Sequence, residues 1–176
     1  MNPVKMKIPS EKIDGSIKIL LDIHKDSRGE IWTTHEEDYC DYSFVSDKVT
    51  ISTRGALRGF HGDSDTAKLI TCLSGKIQLS LLDLRRGSRT YGNVETHIID
   101  DSEPTLILVP EGVVNAHLCL SDKCVFHYKW SKKYAGPSAQ VTIAWDDPDL
   151  GVDWIIKNPI LSDRDKIGKR FSGTFL

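Results

Sequence analysis

What the chain has little of narrows its function before any motif is read. Its 23 lysines and arginines against 25 aspartates and glutamates leave a net charge of -2, so the basic footprint of a nucleic-acid binder is missing. No apolar run approaches the roughly 20 residues that a membrane-spanning helix needs. The four cysteines, Cys40, Cys72, Cys119 and Cys124, show no CxxC spacing. No apolar leader opens the chain, whose first twelve residues are polar and lysine-containing. Reduced thiols and a cytoplasmic location are the expectation; a Cys119–Cys124 disulfide across a hairpin is conceivable but disfavoured in that compartment. Neither an HxH pair nor a ligand-spaced partner for His117 is present, so no metal site is expected. At 176 residues, with 39% hydrophobic and 27% charged, the chain reads as a single domain over 1–176 with a real hydrophobic core.

Short β-prone runs separated by turn residues fill the chain, and no 3.6-residue apolar stripe persists beyond two turns. Strands are expected at 16–23, 30–34 and 49–54, with an acidic, aromatic loop or helical turn at 35–47 between the last two. The runs 69–74 and 76–85 are expected to form a hairpin about Gly75, with Ile77, Leu79 and Leu81 on a core face. Further strands are expected at 94–99, 105–109, 113–120, 124–131 and 140–145. Strands so regularly spaced point to a mainly β barrel or sandwich, with short helices at most on its periphery. The Asp-, Pro- and Gly-rich tail from Asp146 is expected to wrap the outside and bring Asp163, Arg164 and Asp165 over the body.

Chemistry concentrates in Leu57-Arg58-Gly59-Phe60-His61-Gly62-Asp63 with Lys68 beyond it. A titratable base between an arginine and a lysine, on two successive strand ends, suits proton transfer on an anionic carbonyl substrate. A lone histidine fits a surface or core role as well. Along 113–120 the polar Asn115 and His117 share one face while the other is aliphatic; along 124–131, Tyr128 shares a face with Phe126 and Trp130. A solvated face, or a core tyrosine, accounts for these patterns as readily as a ligand cavity does.

In order along the chain stand Arg28-Gly29, the Leu57–His61 run with Lys68-Leu69, Asp83-Leu84-Arg85 with Ser88 and Thr90-Tyr91-Gly92, Pro110-Glu111-Gly112, Tyr128-Lys129 with Tyr134-Ala135, Trp145 to Gly151 with Trp154, and Pro159 to Ser162 with Asp165. Over 19–166 this series resembles the dTDP-4-dehydrorhamnose 3,5-epimerase family. The resemblance implies a cupin-type β-barrel or jelly roll, a homodimer exchanging N-terminal strands, and no metal or organic cofactor. It implies a GDP- or dTDP-linked 4-keto sugar as partner, no nucleic acid and no membrane. It also implies a role for each matching residue: His61 as base, Asp165 behind its ring, Tyr128 as proton donor on the opposite face, Lys68 at the enolate oxygen, and Arg28, Arg58 and Arg164 on the substrate.

Elementary chemistry asks for the same set. Deprotonation beside a ketone needs a base near neutrality, a cation at the oxygen and an acid on the far face; inversion then follows at C3, C5 or both. Departures from the family pattern place Asn115 and His117 where members carry a histidine and an aromatic. Ser46-Asp47-Lys48 and Thr33 replace common residues of the stretch that helps hold the nucleotide, and Thr33, Asn115, His117 and Tyr134 are expected around the substrate. Gly62-Asp63 after the base, with Asn-x-His, resembles the branch acting on GDP-linked 4-keto-heptoses in capsule and related surface-polysaccharide pathways; glycine there is expected to leave room beside the sugar. A 3,4-ketoisomerase on the same scaffold and a non-catalytic sugar-nucleotide binding protein remain the alternatives.

Overall fold

The computed structural model describes residues 3–172. Thirteen strands run in chain order: β1 (Val4–Pro9), β2 (Ile17–Leu21), β3 (His24–Asp26), β4 (Gly29–Ile31), β5 (Ser46–Thr53), β6 (Leu57–Gly62), β7 (Lys68–Ser74), β8 (Lys76–Asp83), β9 (Val94–Asp100), β10 (Thr105–Val109), β11 (Val113–Cys119), β12 (Lys123–Trp130) and β13 (Val141–Thr142). One α-helical turn, α1 (Asp163–Lys166), and three 3-10 turns are peripheral. A six-stranded sheet in the order β1-β2-β10-β7-β12-β5 faces a five-stranded sheet in the order β13-β6-β11-β8-β9, and β3 and β4 form a separate hairpin. The fold is the mainly β architecture of two facing sheets that the strand spacing suggested.

Alternation along the strands builds three apolar layers. Ile70, Cys72, Ile107, Val109 and Phe126 from one sheet meet Ile77, Leu79, Leu81, Val113 and Cys119 from the other. Behind the five-stranded sheet, Leu57, Phe60, Val114, Ala116 and Leu118 are covered by Ile143, Leu150 and Trp154 of the C-terminal tail, which wraps the outside as expected. Behind the six-stranded sheet, Ile19, Leu69, Leu106 and Leu108 pack against Tyr39. All four cysteines are free thiols, and Cys119 and Cys124 lie buried in the inter-sheet core. No helix among the described residues is long and apolar enough to cross a membrane.

Three expectations about the strands are corrected. The runs about Gly75 are not a hairpin: β7 and β8 belong to different sheets, and Gly75 is the corner between them. Its φ of +82° and the Lys123 carbonyl oxygen 2.3 Å from where a Cβ would stand admit only glycine there. Segment 4–9, in the polar opening where no strand is expected, forms edge strand β1, whose Lys5 and Lys7 are exposed as an edge tolerates. Only Val141–Thr142 of the expected strand 140–145 is regular, because beyond it the chain turns to pair singly with the tail at Ile143 and Lys169.

Candidate active site

At the open end of the barrel, β5, β6, β7, β11, β12 and the α1 turn enclose a cavity of about 320 Å³. That is the share of liquid volume of roughly ten waters, the scale of a sugar ring with its substituents. His61 and Tyr128 both line it, together with Lys68, Arg58, Asn115, His117, Tyr134, Arg164 and Asp165. The polar faces of β11 and β12 are therefore cavity walls. All seven residues of β11 are buried, which removes the solvated-face account.

Local irregularity puts His61 where it is. In the β6–β11 ladder His61 stands opposite Asn115 and Arg58 opposite His117, so three steps on β6 match two on β11. This bulge turns Arg58 and His61 to the same side, where strict alternation would separate them. Gly62 follows on the opposite face: a Cβ there would meet Val114 Cγ1 at 2.8 Å, in the layer under the tail. Glycine after the base thus serves packing behind the sheet, and the expectation that it makes room beside the sugar is corrected.

The tail completes the dyad. Ser162 caps α1, accepting from Asp165 N at 3.2 Å, while its hydroxyl donates to Asp165 Oδ2 at 2.7 Å. Asp165 Oδ1 lies 2.6 Å from His61 Nε2 and accepts from Gly59 N at 3.4 Å. Burial works against the Asp165 carboxylate, but the His61 ring, the Ser162 hydroxyl and the Gly59 N–H outweigh it and hold its pKa below the ordinary value. With Nε2 engaged, Nδ1 is the ring nitrogen left for the cavity.

Across the cavity, β12 presents Phe126, Tyr128 and Trp130 as a row with ring centroids 5.0 and 5.6 Å apart, and Tyr134 extends it at 5.4 Å. Burial raises the Tyr128 pKa, against the pull of the Arg58 charge, so the phenol keeps its proton at neutral pH. Lys68 is buried and donates to Asn115 Oδ1 at 2.7 Å and to the His61 carbonyl at 3.1 Å. Burial brings its pKa down to about 8, with Asp63 opposing and Lys48 and Arg164 adding to the shift. Arg164 donates to Thr142 Oγ1 at 2.7 Å and so is anchored beside the dyad. Four cations, Lys48, Arg58, Lys68 and Arg164, against the Asp165 carboxylate suit an anionic ligand.

Two expected residues stand elsewhere. Arg28 sits in the β3–β4 turn, its side chain 88% exposed and paired with Asp26 at 2.6 Å. Thr33 offers its carbonyl to the Tyr39 hydroxyl at 3.1 Å and does not line the cavity. His117 does line it, but as a ring: it stacks on Phe126 at 3.9 Å with 7° between planes. Burial, aided by the Arg58 and His61 charges, lowers its pKa to about 3, so it stays neutral. His117→Phe is accordingly expected to leave kcat within about threefold, since the aromatic contact survives; a loss beyond tenfold in steady-state assays would assign the imidazole a polar role.

Lys48, Thr50, Gln140 and Ser162 also line the cavity, beyond the site residues expected from sequence. A signal for the first two was available. On β5 the polar Lys48, Thr50 and Ser52 face inward while Val49 and Ile51 face out, the reverse of an ordinary core strand. Lys48 Nζ lies 3.4 Å from the Tyr134 ring centroid and 4.3 Å from that of Trp130, a cation held on aromatic faces. Among the described residues no group of three or more His, Cys, Asp or Glu is placed to hold a metal ion.

The family model for dTDP-4-dehydrorhamnose 3,5-epimerase matches residues 10–173. The chain belongs to this family. As such it is an isomerase, and its relatives bear directly on the cavity. It is 34% identical over 164 residues to the dTDP-4-dehydrorhamnose 3,5-epimerase of Methanothermobacter thermautotrophicus, covering 88% of each chain. To a dTDP-4-dehydro-6-deoxyglucose 3-epimerase of a Streptomyces species it is 34% identical over 154 residues, covering 82% of this chain and 78% of that one. The Legionella pneumophila 3,5-epimerase solved with dTDP-4-keto-L-rhamnose superposes with a TM-score of 0.89 at 28% identity, over 95% of this epimerase and 93% of that chain.

Proposed function

We propose that this epimerase inverts a nucleotide-linked 4-keto sugar at C3, C5 or both, in deoxysugar biosynthesis in the cytoplasm. The observation that carries the reading is a single cavity holding the Asp165-backed His61 and the Tyr128 phenol, with Lys68 beside them. His61 Nδ1 takes the proton from carbon beside the ketone, and the electron pair moves onto the carbonyl oxygen as an enolate. Lys68 donates to that oxygen. Collapse of the enolate takes the Tyr128 proton onto the opposite face of the carbon; solvent exchange then restores both groups. Arg58, Arg164 and Lys48 provide the charge for the diphosphate. The dTDP-sugar names of the relatives favour a dTDP-linked 4-keto-6-deoxyhexose over a GDP-linked heptose, for which Gly62 no longer argues.

We read the working unit as a homodimer. Supporting this, edge strand β5 carries Val49 and Ile51, 55% and 58% exposed, on its outer face beside Val45, an apolar strip that a second copy would cover. The Arg28 hairpin, which does not line its own chain's cavity, is then available to the partner's cavity as a further phosphate ligand.

Incubation in D₂O with dTDP- and GDP-linked 4-keto sugars, read by NMR, tests the reaction. Deuterium at C3, or at C3 and C5, with inverted configuration is the expected result. A ketone relocated to C3 would make the protein a ketoisomerase, and no exchange with any sugar of the panel would leave a binding protein.

A further inference from the structure

Lys68 is the one buried cation of the cavity, 2% exposed, and its hydrogen bonds go to two neutral oxygens inside the protein. Its side chain starts from the first residue of β7, in the six-stranded sheet, and crosses to the five-stranded sheet, where Asn115 Oδ1 receives it at 2.7 Å. The second acceptor is the backbone carbonyl of His61 at 3.1 Å. The Trp130 ring lies 5.3 Å from Nζ on the third side. Among the described residues no carboxylate comes within ion-pair distance of it, although Asp63, Lys48 and Arg164 act on it from farther off. Asn115 is itself only 8% exposed, and its amide oxygen is the side-chain acceptor that fixes where the ammonium points.

We infer that Asn115 is the positioning residue for Lys68, holding its ammonium toward the substrate ketone oxygen without neutralising its charge. Asn115 is thereby assigned to the lysine rather than to the substrate. The inference rests on the reading of Lys68 as donor to the enolate oxygen. Its physical content is a choice between acceptors. A carboxylate at 115 would hold the same geometry more tightly, but it would bind the proton that the enolate needs and make the lysine a weaker acid. An amide oxygen orients the ammonium and leaves its third N–H for the ligand. Because the same lysine also bonds the His61 carbonyl, the donor at the oxygen and the base at the carbon share one mount.

Asn115→Asp and Asn115→Ala separate orientation from charge. In Asn115→Asp the Lys68 titration, followed by ¹³C NMR of labelled lysine side chains without substrate, should move upward by a unit or more. The alkaline limb of kcat/KM should move with it, and kcat should fall at least tenfold. In Asn115→Ala kcat should fall about ten- to a hundredfold with KM within threefold and the lysine titration not raised. A lysine titration unmoved in Asn115→Asp overturns the inference, as does a rise in KM with kcat intact in Asn115→Ala, which would make Asn115 a substrate ligand. Absence of sugar exchange by the unmodified enzyme would instead remove the epimerase reading, while the lysine titration still reports the Asn115 pairing.

Discussion

His61→Asn is expected to abolish deuterium incorporation from D₂O at the carbons beside the ketone, with kcat falling by a factor of about 10²–10⁴. The size follows from what the substitution removes. Asparagine keeps a polar group of similar reach, so binding to Arg58, Lys68 and Arg164 should survive and KM should change little. It has no site that takes up a proton near neutral pH, and the carboxylate of Asp165, 2.6 Å from the ring nitrogen, loses the cation it would stabilise. The His61 side chain is 22% exposed and belongs to none of the apolar layers, so the fold should persist, as circular dichroism can verify. Near-normal exchange in this variant would exclude His61 as the base. Exchange lost at one carbon but kept at the other would assign a second base to the remaining centre.

Lys68→Met is expected to lower kcat by about 10²–10³, the usual cost of removing one donor from a developing oxyanion, and at the same time to make the protein more stable at pH 7. The second effect comes from burial. The pKa of Lys68 falls from 10.5 to about 8 in the folded chain, so between those values the unfolded state binds more protons and stability rises with pH. Below pH 8 the whole penalty of the buried charge is present, on the order of 3 kcal/mol. Methionine removes it but orphans the Asn115 oxygen, at a cost of about 1–2 kcal/mol. A net gain of about 1–2 kcal/mol remains, a few degrees in Tm for a chain of this size. Scanning calorimetry of both proteins at pH 7 and pH 10 checks the sign: the advantage of methionine should shrink at the higher pH. A variant less stable at pH 7, with no pH dependence in the difference, would show that the lysine is not held as a strained charge.

Much of the site could be read before the fold was known, for a reason visible in individual strands. Where a strand obeys strict alternation, as 113–119 and 123–130 do, the residues facing the cavity follow from period two, and Asn115, His117 and Tyr128 were placed on the right faces. Tight local signals fail where tertiary structure overrides them. Ser74-Gly75-Lys76 has the chemistry of a hairpin turn, yet the two strands part into opposite sheets, because pairing partners are chosen by the whole barrel. The bulge in β6 is marked in sequence only by Gly59, which stands between Arg58 and His61 with a φ of +126°, and period two alone puts those two residues on opposite faces. Gly62 shows the converse: a glycine beside a catalytic residue invites a functional explanation, and Val114 supplies a packing one. His117 lies on the expected cavity face, and its stacking on Phe126 is a contact that spacing along the strand does not show. Lys48 was noticed only as a departure from the family pattern, although the inverted alternation of β5 pointed to it.

The carboxylate behind the base arrives from the far end of the chain, accepting a backbone N–H from a residue 106 positions earlier. During synthesis both sheets can assemble while this last turn is still inside the ribosome, since their eleven strands end at Thr142. A nascent barrel therefore has its walls, three of its four cations and its phenol before its imidazole is oriented. A chain truncated before Asp165 is therefore expected to keep Lys48, Arg58, Lys68 and Tyr128 around a cavity whose imidazole has no carboxylate behind it.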